Sequence, residues 1–275
     1  MMFNIGICQM KVSDSKLENL KRAEELMKEA RKGGADFLVL PEMFNCPYDN
    51  LYFPVFAEEG DTGETVRFLA EMAVSLQCYV IGGSIPERDG DRIYNASFIF
   101  DRKGQLIGKH RKLHLFDIDV PGRITFKESA VFTPGNDFTV IDSEYGRFGV
   151  GICYDIRFPE YFRLLADAGI QMLFLPAAFN MVTGPAHWET LLRARAIDNQ
   201  IFVIAVSPAR NPAASYTAYG HSMAVSPWGD ILWQADAEET VKVVGIDLGR
   251  IAEVRQNMPL YQHRRRDLYR IERVE

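Results

Sequence analysis

Cysteine, glutamate and lysine side chains in this sequence have the types and surroundings suited to nucleophilic acyl transfer. Cys153 sits in Phe148-Gly-Val-Gly-Ile-Cys-Tyr-Asp-Ile-Arg-Phe-Pro-Glu160, where an apolar strand ends and a proline-initiated helix begins a few residues on. A thiol at such a bend is expected to be exposed and close to the positive end of a helix dipole, which favours thiolate. The competing reading is a buried structural cysteine, the commoner fate of a free thiol. Cys8 shares the strand context but continues into Gln9-Met10-Lys11 with no helix start. Cys8, Cys46 and Cys78 are therefore read as structural, and Cys153 as the nucleophile.

A cysteine hydrolase also needs a proton acceptor and a partner for the oxyanion. His110, His114, His187, His221 and His263 lie in no Cys-His pattern, although partners that meet only in space stay open. His110-Arg-Lys-Leu-His114 lacks the adjacent Glu of a zinc-protease helix, so no metal site is expected. Gly82-Gly83-Ser84 runs into Ile85-Pro86, where a serine elbow requires a second flanking Gly. Glu42 follows Pro41 at the end of Phe37-Leu-Val-Leu-Pro41, the strand end at which α/β sheets place ligands. Burial there would raise its pKa into the range of a general base, while a solvated glutamate is the alternative. Lys112, in Lys109-His-Arg-Lys-Leu-His114, suits an oxyanion partner, although a basic cluster of this kind is by itself more often a solvated face.

The elements that must position these residues form a hidden duplication. Ile5-Gly6-Ile7-Cys8 is echoed by Val150-Gly151-Ile152-Cys153, and Phe37-Leu-Val-Leu-Pro41 by Leu173-Phe-Leu-Pro176. Tyr79-Val-Ile81 matches Phe202-Val-Ile204, and Tyr94, Ser97 and Gly104 return as Tyr219, Ser222 and Gly229. Each half reads as strand, helix, strand, helix, strand, strand, its strands apolar without alternation as when both faces are covered. Ser15-x-x-Glu18 is a capping-box pattern, with Leu17, Leu20, Ala23, Met27 and Ala30 as one face and Gly33-Gly34 as the stop. Val66, Leu69, Ala70, Ala73 and Leu76 make a second stripe; Trp188, Leu191, Leu192 and Ala196 make another. Pro159 suits a first helical position and Gly169 a helix stop. Two like halves packed sheet on sheet, with helices outside, predict an α/β fold: a four-layer α-β-β-α sandwich in one domain over 1–275. The pseudo-repeats span about 3–104 and 147–229. The segment 105–146 is expected to have no counterpart, and 250–275 to form an irregular arm.

Composition narrows the classes. The 275 residues are 47% hydrophobic and 25% charged, with a net charge of −6, which argues for a globular chain and against a nucleic-acid partner. The 4 cysteines form no CxxC pair and are too few for a disulfide scaffold. No basic segment followed by a long apolar run opens the chain, so a cytoplasmic protein without a membrane segment is expected. The longest run free of Asp, Glu, Lys and Arg, Ala168 to Trp188, contains Pro176, Asn180, Gly184 and Pro185 and reads as a buried strand followed by a loop.

Pro41-Glu42, His110-Arg-Lys112 and Gly151-Ile-Cys-Tyr-Asp155 resemble, in order, the signature blocks of the carbon–nitrogen hydrolase (nitrilase) superfamily. The likeness covers nearly the whole chain. It implies the same sandwich, a Glu-Lys-Cys triad with no metal or organic cofactor, and a homodimer. It further implies that Cys153 attacks a carbonyl to form a thioester, and that Glu42 carries the proton to leaving ammonia. Lys112 and the backbone N–H of Tyr154 would stabilise the oxyanion. Glu128, in Phe126-Lys-Glu-Ser129, occupies the block of the superfamily's second glutamate.

Cys153-Tyr154-Asp155 resembles amidases rather than the Cys-Trp-Glu of true nitrilases. His114-Leu-Phe-Asp-Ile-Asp-Val-Pro-Gly122, Thr183-Gly-Pro-Ala-His-Trp188 and Ala194-Arg-Ala-Ile-Asp-Asn199 resemble the omega-amidase branch, which hydrolyses the terminal amides of 2-oxoglutaramate and 2-oxosuccinamate. The alternatives are the deaminated-glutathione amidase branch and other short-chain amide or carbamoyl-amide hydrolases. A small dianionic product would call for a cation at the far end of the substrate, and Arg157 is the candidate. Thr183 would add a hydroxyl donor, with Phe179 and Tyr48 as walls. Pairing of Arg157 with Glu160 on the surface is the alternative for that side chain. A non-catalytic scaffold offering Tyr261 and His263 at an interface is the reading from another class, and the intact Glu42, Lys112 and Cys153 set counts against it.

Overall fold

The computed structural model describes residues 2–274. Its first half contains β1 (Met2–Gln9), α1 (Lys16–Lys32), β2 (Phe37–Val39), α2 (Phe53–Phe56), β3 (Glu58–Glu59), α3 (Glu64–Leu76) and β4 (Tyr79–Ile81). β5 (Ile85–Asp89), β6 (Arg92–Phe100) and β7 (Leu106–Arg111) complete it, and the hairpin β8 (Asp117–Val120) and β9 (Ile124–Lys127) follows. The second half contains β10 (Val140–Ser143), β11 (Gly146–Val150), α4 (Pro159–Asp167), β12 (Met172–Pro176), α5 (Gly184–Asn199), β13 (Phe202–Val206), β14 (Met223–Val225) and β15 (Ile231–Gln234). The chain then adds β16 (Thr240–Asp247), α6 (Gly249–Asn257) and α7 (Leu260–His263).

The helices start and stop where local chemistry dictates. Ser15 Oγ accepts from the Glu18 N–H at 3.4 Å, capping α1. The Glu18 carboxylate accepts from Ser13 Oγ instead of returning to the Ser15 N–H, so the box is not reciprocal. Leu17, expected on the buried face, is 76% exposed; Leu26 takes that place beside Leu20, Ala23, Met27 and Ala30. Pro159 opens α4, where its missing N–H costs nothing, and Gly169 at φ +89° follows its end.

Two sheets carry the same plan. One runs β16-β1-β2-β4-β6-β5-β3 with β7 also on β6, the other β10-β11-β12-β13-β14-β15. In both, three parallel central strands are flanked by antiparallel ones. The pairings Phe37↔Tyr79 and Met172↔Phe202, and Val80↔Phe100 and Val203↔Val225, keep the registers that the sequence echoes require.

The first echo does not keep its register. Ile5 pairs with Phe37, whereas Phe148 is what pairs with Met172, so Cys8 stands level with Gly151 and not with Cys153. A slip of two residues preserves which face each side chain takes, and apolar repeats tolerate it for that reason. The segment 105–146 also needs correction. Its ends, β7 and β10, correspond to β15 and β16, leaving the β8–β9 hairpin and its flanks as the part without a counterpart.

One face of each sheet meets the other through Ile5, Ile7, Phe37, Phe148, Phe174 and Ile204. The outer faces are covered by α1 and α3 on one side and by α4 and α5 on the other, giving the layers α-β-β-α. The C-terminal segment departs from the expected irregular arm: α6 buries Ile251 and Val254, and the irregular part starts only after α7. Tyr261 is turned onto its own chain, its hydroxyl donating to the Asn199 carbonyl at 3.2 Å and its ring lying under Arg255. Among the described residues no helix is long and apolar enough to cross a membrane.

Candidate active site

The site lies past the carboxyl ends of the central strands, where loops from both sheets converge. Immediately after β2, the Leu40 N–H still donates to the Ile81 carbonyl, and the next turn places Glu42. That turn is held by Ser84, whose Oγ accepts from the Met43 N–H at 3.2 Å. Gly83 is required behind it: at φ +55°, a Cβ there would sit 2.1 Å from the Pro41 carbonyl oxygen. Lys112 directly follows β7, its N–H donating to Asn95 O and its carbonyl accepting from the Gly135 N–H, each at 2.8 Å.

Glu42, Lys112 and Glu128 meet with their side chains entirely buried. Lys112 Nζ is 2.9 Å from Glu42 Oε1 and 2.8 Å from Glu128 Oε2. Lys112 is therefore not part of a solvated face, nor is Glu42 a solvated carboxylate. Asn95 Nδ2 bridges the two acids, donating to Glu42 Oε1 at 2.9 Å and Glu128 Oε1 at 3.1 Å. Glu128 also accepts from the Phe116 N–H at 2.6 Å and the Tyr48 hydroxyl at 3.3 Å. Tyr48, expected as a wall, thus spends its hydroxyl on the second glutamate. Glu42 Oε2 receives no such donor, and the Cys153 thiol interacts with this carboxylate.

Cys153 opens a short 3₁₀ turn, Cys153–Arg157, and has a left-handed φ of 45°. The expectation of an exposed thiol held as thiolate fails. Cys153 is 3% exposed, and burial together with the Glu42 charge drives its pKa well up, with Lys112 opposing. A carboxylate facing a dry thiol outweighs a helix end, so the proton stays on sulfur until a base removes it. Burial also raises Glu42, against the pull of Lys112, with Glu128 adding to the rise. For Lys112, burial alone would lower the pKa, but Glu128 and Glu42 outweigh it and keep the ammonium. Cys8, the comparison thiol, is pushed up to about 12 by burial and by Glu29, and has no such partners.

Two backbone N–H groups flank the sulfur. That of Tyr154 donates to no acceptor among the described residues, and that of Ala178 donates to Cys153 Sγ at 3.4 Å. The Tyr216 hydroxyl donates to the Ala178 carbonyl at 2.5 Å, and its ring lies 4.5 Å from that of Tyr48. A cleft of about 380 Å³ leads to Glu42, Tyr48, Ala178 and Tyr216 from the surface between Val12–Asp14 and the 211–218 loop.

Arg157 is partly buried, with its guanidinium over the rings of Tyr154 and Phe179, 5.5 and 4.9 Å from their centroids. Its Nη1 donates to His187 Nδ1 at 3.1 Å, and no carboxylate, Glu160 included, pairs with it among the described residues. Burial lowers its pKa. Asn180 Oδ1 closes the turn before α5, accepting from the Val182 and Thr183 N–H groups and from the Thr183 hydroxyl at 3.2 Å, so that hydroxyl is spent inside the turn. Phe179 packs edge-on against Trp188.

Asn95, Ala178, Tyr216 and Asp155 were not singled out from the sequence. Asn95 carried a signal, as a lone amide inside the apolar run of β6. Ala178 carried none, because its N–H is a backbone group. His110 and His114 bind no catalytic atom; both donate to Asp155, and among the described residues no cluster of His, Cys, Asp and Glu has the arrangement of a metal site.

Known proteins share this arrangement of chain. The carbon–nitrogen hydrolase family model matches residues 4–256. Omega-amidase NIT2 of Bos taurus is 51% identical over 270 residues, covering 98% of each chain. Omega-amidase NIT2 of Homo sapiens is 48% identical with the same coverage. The crystal structure of Saccharomyces cerevisiae Nit3, a member of branch 10 of the nitrilase superfamily, superposes with a TM-score of 0.90 at 42% identity, over 96% of this chain and 97% of that one.

Proposed function

The chain belongs to the carbon–nitrogen hydrolase family, and from that premise we propose that it is an omega-amidase. On this reading it hydrolyses the terminal amide of 2-oxoglutaramate or 2-oxosuccinamate to the oxo-diacid and ammonia. The observation that carries the substrate choice is Arg157, a guanidinium with no carboxylate partner among the described residues, held beside the nucleophile by two aromatic faces. A desolvated cation without a counter-charge favours an anionic ligand, and guanidinium matches a carboxylate through paired hydrogen bonds.

The chemistry then runs through the chain's own groups. Glu42 takes the thiol proton as Cys153 Sγ adds to the amide carbon. Lys112 Nζ and the Tyr154 N–H hold the oxygen that becomes negative, an arrangement effective because the site is dry. As the tetrahedral species collapses, the C–N bond breaks and Glu42 returns its proton to the departing ammonia. Water then adds to the thioester with Glu42 again as base, and the thiol is regenerated. Glu128 and Asn95 fix the ammonium and the carboxylate against each other, and Phe179 and Tyr48 bound the substrate.

We take the enzyme to be a cytoplasmic homodimer. Its four unpaired thiols agree with a reducing compartment, and light scattering on the purified chain tests the dimer. Ammonia release across 2-oxoglutaramate, 2-oxosuccinamate, glutamine, asparagine and deaminated glutathione tests the activity. A preference for the oxo-acid monoamides is expected. Preference for deaminated glutathione would replace the reading with the neighbouring amidase activity.

A further inference from the structure

Asp155 lies two residues beyond the nucleophile, fully buried, and touches none of the reacting groups. Each of its oxygens accepts two hydrogen bonds. Oδ2 takes the Ile152 N–H at 2.9 Å and His110 Nε2 at 3.2 Å; Oδ1 takes the His114 N–H at 2.9 Å and His114 Nδ1 at 2.8 Å. Ile152 immediately precedes Cys153, and His110 and His114 stand on either side of Lys112. One carboxylate therefore joins the backbone that carries the thiol to the backbone that carries the ammonium.

The partners are themselves fixed. The His114 ring stacks on Phe158 at 3.7 Å and 10°, and Phe158 leads into α4. His110 Nδ1 lies 3.0 Å from Thr139 Oγ1. Such a tie has a task here, because Cys153 has a φ of 45°, a conformation that a residue bearing a Cβ keeps only when its surroundings impose it. Burial works against ionisation of Asp155, but the bonds from His110 and His114 outweigh it and hold the carboxyl well below the usual range.

We propose that Asp155 is a positioning residue for the hydrolysis, its carboxylate holding the strained Cys153 elbow in register with Lys112 on both sides. The inference rests on the amidase reading for its kinetic arm. Asparagine is a poor substitute: each oxygen accepts from a backbone N–H, so whichever becomes an amino group buries donor against donor.

Asp155→Asn, His114→Phe and the double variant are compared with the wild type in two assays. One is steady-state ammonia release from 2-oxoglutaramate. The other is the rate of Cys153 alkylation by iodoacetamide, followed by mass spectrometry, which needs no amide substrate and so still reads the elbow if the amidase reading fails. Asp155→Asn is expected to lower kcat about 100-fold with KM within about twofold, because misplacing reacting groups by about 1 Å costs that much. His114→Phe is expected to lower kcat about tenfold, and both variants to slow alkylation. The double variant should lose no more than Asp155→Asn alone, since both act through one carboxylate. His114 is only partly buried and phenylalanine keeps the stack on Phe158, so this variant decides the matter if Asp155→Asn does not fold. Unchanged alkylation and kcat in His114→Phe overturn the proposal, as do additive losses in the double variant or a loss carried by KM.

Discussion

Replacing Lys112 by methionine removes the ammonium while keeping most of the side-chain volume. The native Nζ lies 2.9 Å from Glu42 and 2.8 Å from Glu128, with all three side chains buried. The variant would leave two carboxylates bridged only by the Asn95 amide, and removing one partner of a buried pair costs about 3–5 kcal/mol. Proton uptake limits that cost. Keeping one carboxyl neutral at pH 7 against an unfolded pKa of about 4.3 costs about 3.7 kcal/mol, so a loss near that value is expected. The folded variant then holds a proton that the unfolded chain lacks. Its stability rises as pH falls, and its deficit against the wild type narrows by up to about 1.4 kcal/mol per pH unit towards about pH 5. In catalysis, loss of an oxyanion donor lowers kcat by about 10²–10³. Urea unfolding between about pH 8 and pH 5 and steady-state ammonia release read the two effects. A deficit that stays flat with pH refutes the buried acid pair, and a change confined to KM refutes the oxyanion role.

Burial raises the Glu42 pKa against Lys112, and its ionised form is the base, so kcat/KM should fall as pH drops through that raised value. The acid limb should lie above about 4.3, and a pH–rate profile with its limb at or below that value contradicts the argument. Glu42→Gln should lower kcat by about 10²–10⁴ without unfolding the chain, and near-wild-type turnover would remove Glu42 from proton transfer. Arg157→Leu should cost about 10²-fold in kcat/KM on 2-oxoglutaramate while sparing a neutral short amide; equal losses on both substrates would deny it the distal carboxylate. Gly83→Ala places a Cβ 2.1 Å from the Pro41 carbonyl at a φ of +55°. It should destabilise by more than about 1–3 kcal/mol and disturb Glu42, and an unchanged thermal midpoint would show that this turn gives way.

The legible part of the site was the part written in local patterns. Cys153 stood out because an apolar strand runs into Pro159 within a few residues, and the order of the Glu42, Lys112 and Cys153 blocks pointed to the family. Three of the repeats also kept their strand registers. The Ile5–Cys8 echo did not, because an apolar run slipped by two residues presents the same faces and no side chain reports the error. Leu17 was misplaced for a related reason, since a stripe says which residues are apolar but not where the covering sheet ends. Asp155 stands inside the nucleophile block but carries no local mark of its role, because its partners arrive from β7 and the residues after it, 41 and 45 positions away.

Periodicity, caps and adjacent chemistry already carry the strand–helix order of the repeated core, the layered class and the residue types available for acyl transfer. Tertiary structure decided what those residues are. Lys112 meets Glu42 across 70 positions and Asn95 meets Glu42 across 53, and only that meeting, shut away from water, sets their charges. The protonation of Cys153 reversed on this account: a strand end beside a helix start favours thiolate, but a dry cavity shared with a carboxylate keeps the proton on sulfur. Desolvation and charge act through space over a few ångströms, and those distances exist only once the two sheets have packed.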